Sequence, residues 1–346
     1  CSGCFKMKEN RKICISFIIC LIVLFFCFAL AVGVGAEKLN IFSVIKSLFA
    51  SEMSDSSATS NFSKIIFLRL RLPRALLVLL TGIMLGGSGA VFQLFFRNPL
   101  AEPGIMGISS GATLGAVVAS VFGFSAGSFI SPVNIVAFLG ALAAGGVVTL
   151  LAIGKSRRES TVMLLLCGTA LGTLYSSISS VVLLTCNREL HSIYTWILGS
   201  FNGRGWNELS FLIIPAILSF VLIFRIAPSL DLLSGGEKSA MSLGVEVDKL
   251  RIVVLIAGAL CVSCAVCAGG TISFVGLIAP HIVRKMLGAK AKVLIPFSMI
   301  FGAILLLLAD TLARVLIAPS ELPAGVITSI LGAPFFLSLC LKSKEN

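Results

Sequence analysis

Charge along this chain is gathered into short clusters between long uncharged runs. Segments 13–36, 75–96 and 322–341 contain no Asp, Glu, Lys or Arg. Each can cross a hydrocarbon core of about 30 Å, which takes about 20 apolar residues. Segments 103–154 and 160–187 are equally free of charge, and the first has room for two crossings broken near 125–134. Segments 209–224, 252–268, 271–283 and 293–309 are shorter, but snorkelling flanks can extend them. The pattern predicts an all-α, polytopic membrane protein of about ten transmembrane helices. Residues 13–341 form one membrane domain in this reading, with 1–12 and 342–346 as tails.

Composition agrees with that pattern. The 346 residues are 57% hydrophobic and 12% charged, with mean hydropathy +1.07, against roughly 45–50% apolar and about 25% charged in a soluble domain. The first run follows Lys6, Lys8, Arg11 and Lys12 as a signal peptide would. It is longer than the usual apolar region of about 7–15 residues and lacks a clear small-residue cleavage site, so a retained helix is expected. Met7 marks a second candidate start, which makes Cys1–Lys6 an upstream extension. An even number of helices puts both termini on one side. With the termini cytoplasmic, most of the 27 Lys and Arg fall on that side, as the positive-inside rule asks. The formal charge of +12 then reflects topology and attraction to membrane lipid, not nucleic-acid binding.

Eleven cysteines raise the question of a metal, with Cys261, Cys264 and Cys267 three apart. Most lie inside predicted helices, where Cys acts as a small apolar residue, and a structural zinc site needs four converging ligands. Packing, with no metal, is the expectation.

A second question comes from Leu233-Ser234-Gly235-Gly236-Glu237-Lys238, which resembles the LSGGQ signature of ABC ATPases. A phosphate-binding loop is missing: Gly154-Lys155-Ser156 supplies its second half, but Thr149 stands where the first glycine is required. The chain is therefore not expected to hydrolyse ATP. The plain reading of the hexapeptide is a turn with glycine at the helix break. Around it, segment 227–250 carries Leu230, Leu232, Leu233, Met241 and Leu243 among Asp231, Glu237 and Lys238, with Gly244 near its end. An amphipathic pair of short helices is predicted, suited to a soluble partner's groove or to the bilayer surface.

Glycines recur every four residues at Gly82 and Gly86, at Gly107, Gly111 and Gly115, and at Gly168 and Gly172, which lets helix backbones approach closely. Asn98-Pro99, Glu102-Pro103-Gly104 and Ala279-Pro280-His281 are predicted helix breaks near the inner end of a path, since irregular backbone at membrane depth needs protein or water around it. His281 reads as a helix-end group and His191, near Tyr194 and Trp196, as part of an interfacial belt. Arg69, Arg71, Arg74 and Arg314 fall on the outer side, against the positive-inside bias. Arg314 can pair with Asp310 one turn back, and the others can meet lipid phosphates.

Six motifs in order make the chain resemble the FecCD-type permeases of iron–siderophore, haem and cobalamin ABC importers over about 65–341. They are RLPR at 71–74, RNPLAEPGIMGISSGATLG at 97–115, LDLLSGGEKSAMSLG at 230–244, GTISFVGLIAPHIVR at 270–284, ADTLAR at 309–314 and ELPAGVITSILGAPFF at 321–336. The resemblance implies a vitamin B12 permease-like fold in the cytoplasmic membrane of a bacterium. It also implies a homodimer around one path, two ATPase subunits carrying ATP and Mg, and an extracytoplasmic binding protein, with no cofactor in this chain. It makes the loop at 230–244 the receiver of ATPase motion, and Arg71, Arg74 and Arg314 the grip on binding-protein glutamates, a task suited to arginine's planar fork. Many relatives have Ala-Leu-Gly-Glu where this chain has Ser234-Gly235-Gly236-Glu237. Ferric siderophore is the expected cargo, with haem or cobalamin as alternatives. A secondary transporter or channel is the rival from another class; predicted helix centres lack the carboxylates such carriers use, apart from Asp310 near an outer end. A membrane enzyme would need clustered His, Asp or Glu.

Overall fold

The computed structural model describes residues 2–35, 63–121, 131–153, 160–185 and 190–342. Twelve α-helices and no strand occur among the described residues: α1 Ser2–Gly33, α2 Leu72–Phe95, α3 Ile108–Val121, α4 Pro132–Ile153, α5 Ser160–Thr185, α6 Leu190–Ile197, α7 Trp206–Leu233, α8 Glu237–Ser242, α9 Val247–Gly269, α10 Val275–Leu287, α11 Ala291–Val315 and α12 Ala324–Lys342. Leaving aside the short α6 and α8, ten helices remain, as the uncharged runs predict. Seven candidate spans are long and apolar enough to cross a membrane, and α3 and most of α12 are shorter apolar helices. Boundaries shift at the charged flanks. Helix α1 begins at Ser2, inside the expected tail, and α7 runs on through Arg225 to Leu233. Gly154-Lys155-Ser156, most of the break at 125–134 and the His191 side chain lie outside what the structure describes.

Helices α2 and α9 form the centre, with 78% and 83% of their most apolar stretch buried, while α1 and α5 reach only 6% and 11%. The outer pair is left to lipid or to another chain. Ahead of α2, residues Ile66–Arg71 form a π-helical turn in which the Leu72 N–H reaches back to the Phe67 carbonyl. Pro73 explains the widening: its ring crowds the carbonyl four residues earlier and it has no N–H to give.

Glycine sets the distance between α2 and α11. A methyl group at Gly82 would stand 2.5 Å from the Gly302 carbonyl oxygen, and one at Gly86 would collide with that of Ser298. Gly111 and Gly115 pack in the same way against Gly140 and Val136 of α4, and Gly107 meets Gly168 and Gly172 of α5. Gly107 also takes the left-handed backbone at φ +71°, so its lack of a side chain serves both turn and contact.

Pro280 does not break its helix, contrary to the sequence expectation; α10 runs unbroken from Val275 to Leu287. The discontinuity lies earlier, at 270–274, between α9 and α10. Proline leaves the carbonyl four residues before it without an intrahelical donor. That carbonyl belongs to Gly276 and faces Gly89 of α2, where any added methyl would strike it. Gly89→Ala is thus expected to force α10 away from α2 and to cost roughly 1–3 kcal/mol. Thermal melting of the purified protein in detergent measures this, and an unchanged midpoint would refute the close contact.

Candidate functional site

At one end of the bundle the three arginines expected to grip a partner come together, each with bonds inside the protein. Arg71 Nη1 donates to the carbonyls of Val32 at 3.3 Å and Gly33 at 2.7 Å. Arg314 donates from Nη2 to Ala31 at 2.7 Å and from Nη1 to Val34 at 2.9 Å. These are the carbonyls a helix leaves without partners at its C-terminus, where the dipole favours a cation. Asp310, 2% exposed, lies between Arg74 Nη2 at 2.8 Å and Arg314 Nε at 3.2 Å, so the pairing of Arg314 with Asp310 is present. Glu321 closes on Arg74 Nη1 at 2.8 Å. Beside the cluster opens a cavity of about 920 Å³, lined among others by Arg69, Arg204, Trp206 and Glu208.

At the other end of α7 and α11 lies the loop of the LSGGEK stretch. It holds one short helix instead of the predicted pair, because residues 227–233 continue α7 despite Pro228. Leu230 and Leu233 are fully buried and belong to the core. Leu232, Met241 and Leu243 are exposed, and they make the apolar surface of the loop. Gly236 at φ +108° breaks α7 from α8, and Gly244 at φ +85° ends α8. There the Val245 N–H reaches Ala240 and the Gly244 N–H reaches Met241, both at 3.0 Å, a Schellman closure. Ser234 Oγ donates to the Asp231 carbonyl, Glu237 is half-buried and Lys238 exposed. The Asp231 carboxylate accepts the N–H of Ala291 at 2.5 Å, which ties this loop to the first turn of α11.

Of the expected helix breaks, the one at 102–104 meets another, at 270–274. Asn98 closes a turn by accepting the Leu100 N–H at 2.9 Å, with Pro99 exposed beside it. Pro103 and Gly104 start a 3-10 turn, Pro103–Met106, ahead of α3. Glu102 Oε1 accepts the N–H of Phe274 at 3.0 Å, joining this break to the one at 270–274. Phe274 sits in the left-handed region at φ +67°, a conformation costing a non-glycine residue about 1–2 kcal/mol. A cavity of about 270 Å³ lined by Glu102, Ser109, Ser273 and Gly276 separates the two breaks. His281 is not part of it. Its ring meets Phe335 edge-on at 5.6 Å, and its buried nitrogens have no hydrogen-bond partner among the described residues. Among the described residues no group of three His, Cys, Asp or Glu is placed to hold a metal, and Cys261, Cys264 and Cys267 are buried along α9.

Comparison with known proteins decides what this arrangement belongs to. The model of the FecCD transport family matches residues 21–342. The chain belongs to that family. It is similar to the Fe(3+)-citrate import system permease protein YfmD of Bacillus subtilis, with 35% identity over 98% of both chains. It is also similar to the hemin transport system permease protein HmuU of Yersinia pestis, with 37% identity over 81% of this chain and 84% of that one. A solved structure, described as an inward-facing conformation of a metal-chelate type ABC transporter, superposes with a TM-score of 0.76 and 33% identity, covering 92% of this chain and 99% of the other. The protein is thus the multi-pass permease of an ABC importer, a class of permease that works with separate ATPase and substrate-binding proteins.

Two features of this permease go beyond the sequence expectations. One is the carboxylate of Glu102, expected only as part of a helix break, which ties two breaks together. The other is α5, whose Thr169, Thr173, Ser176, Ser177 and Ser180 are all exposed. Thr173, Ser177 and Ser180 donate to carbonyls four residues back at 2.9 Å. Their oxygens can still accept from water, which suits an aqueous path better than lipid. The spacing of hydroxyls in 169–180 was the available signal.

The buried charges beside the cavity generate one prediction. Removing one partner of a buried ion pair costs about 3–5 kcal/mol, because the other charge is left uncompensated. Asp310→Ala is expected to lower unfolding stability by that order, since both Arg74 and Arg314 lose their shared carboxylate. A melting midpoint equal to that of the unaltered protein would show the cluster to be dispensable.

Proposed function

We propose that this permease carries ferric siderophores inward as one half of a homodimer, with both termini cytoplasmic. Two copies of an ATPase subunit, holding ATP and Mg, meet the loop of α8, and an extracytoplasmic binding protein docks on the face of Arg71, Arg74 and Arg314. The observation that carries this reading is the separation of two differently built ends: a cationic face beside an open cavity, and an opposite loop exposing Leu232, Met241 and Leu243. Exposed apolar side chains on a short helix suit a partner's groove. The hydroxyl-bearing face of α5 then borders the path.

Helix α11 joins the ends. Its first residue is bonded to Asp231, its last turns carry Asp310 and Arg314, and its 25 residues span about 37 Å. Movement of the loop is passed along this rod, pressed against α2 by glycines, and shifts the bundle between two packings. Haem is the second reading, favoured by the likeness to a hemin permease; cobalamin is the third.

Radioiron uptake from several ferric siderophores, with haem and cobalamin in parallel, tests the cargo in cells with the gene, without it, and with the double substitution Glu237→Ala, Lys238→Ala. Loss of one ferric-siderophore signal in both altered strains is expected. Intact iron uptake with lost haem or cobalamin uptake would correct the cargo. No response of any cargo would contradict the importer reading.

A further inference from the structure

Five guanidiniums line the outer cavity, those of Arg69, Arg71, Arg74, Arg204 and Arg314, against two carboxylates, Glu208 and Glu321. Three of the five have their bonding directions taken up: Arg71 and Arg314 hold the α1 carbonyls, and Arg74 holds Asp310 and Glu321. Arg204 is different. It stands in the turn before α7, half-buried; its N–H closes that turn on the Phe201 carbonyl at 3.2 Å, while its guanidinium makes no hydrogen bond or ion pair with a described residue. Glu208 lies within electrostatic reach, but its Oε2 accepts the Gly205 N–H at 2.9 Å and secures the first turn of α7. Burial lowers the Arg204 pKa, with Glu208 partly opposing the shift, yet a guanidinium stays charged at neutral pH.

A guanidinium at a cavity wall with no bond to its fork can take a carboxylate in its plane, which supplies two charge-assisted bonds at once. The surroundings fit a carboxylate on an apolar stem. Trp206 is exposed at the wall, its indole N–H fixed to the Leu68 carbonyl at 2.9 Å, and Arg69 is exposed at the rim. No residue of α5 lines the cavity, so a cargo following the α5 face does not pass through it.

We propose that Arg204 is the anchor for a Glu or Asp side chain of the extracytoplasmic binding protein, inserted into this cavity. The assignment rests on the docking face proposed above and adds a residue to it.

The permease in complex with its ATPase, held in lipid nanodiscs, is tested by surface plasmon resonance against each purified extracytoplasmic binding protein of the source organism. Arg204→Gln is expected to weaken docking about 30-fold or more, chiefly through faster dissociation. Arg204→Lys is expected to recover part of the loss, since it restores the charge without the fork. Melting midpoints report whether each variant is folded. If Arg204→Gln docks as tightly as the unaltered complex while Arg74→Gln is weakened, the docking face stands and the anchor is wrong. If neither variant weakens docking, or no binding protein docks on the unaltered complex, the docking face falls as well. Should Arg204→Gln fail to fold, Arg204→Lys is combined with single Glu→Gln and Asp→Asn changes across the binding protein. One acidic position coupled non-additively to Arg204→Lys supports the anchor, and purely additive losses overturn it.

Discussion

Close backbone approach between α2 and α11 is the constraint on which the other features depend. In a bilayer, helices gain little by hiding apolar side chains from each other, so association relies on packing that small residues permit. Gly82, Gly86 and Gly302 bring the two backbones together, and Gly89 does the same for α10. With those contacts in place, the end of α11 stands beside the start of α2, and Arg74 can reach Asp310. Without them the ion cluster would lose its geometry, and α1 would lose two of the cations that terminate it.

That cluster couples covalently distant parts of the chain. Arg71 and Arg314 act on the same helix end from two elements, and Asp310 holds Arg74 and Arg314 together. Such a buried network is a specifying device more than a source of net stability, because desolvation offsets much of the attraction. It also fixes where the face beside the cavity can be positive. Arg71, Arg74 and Arg314, which build the face, have internal partners, which leaves the Arg204 guanidinium and the rim residue Arg69 to present charge to the cavity. At the opposite end, one carboxylate, Asp231, ties the loop of α8 to the same α11.

Most of the helix pattern was legible in the sequence, because a lipid solvent leaves long uncharged runs as its trace. The misplaced boundaries have a common cause: charged residues at a membrane surface continue a helix as readily as they end it, so α1 starts before Ile13 and α7 runs past Arg225 and Asp231. Pro280 misled because α2 shelters the carbonyl it frees, against Gly89, a tertiary contact with no local signature. The loop of 230–244 was recognisable, but the division of its leucines was not; Leu230 and Leu233 turn inward because α7 persists there. Arg71 and Arg314 stand out in the sequence by motif and position. Their partners are main-chain carbonyls of α1, which no side-chain pattern announces. Glu102 reads in the sequence as part of a helix break, but its bond to the Phe274 N–H joins residues 172 positions apart and has no local signature.

The most direct test of the proposed linkage through α11 is the ATPase rate of the reconstituted complex with and without its loaded binding protein, compared between the unaltered permease and Asp231→Asn. The bond from the Ala291 N–H to Asp231 weakens in that variant, at the opposite end of α11 from the proposed docking face. The account requires that the binding protein still docks but no longer stimulates hydrolysis. Full stimulation in Asp231→Asn would contradict the claim that the loop and the outer face communicate through the start of α11.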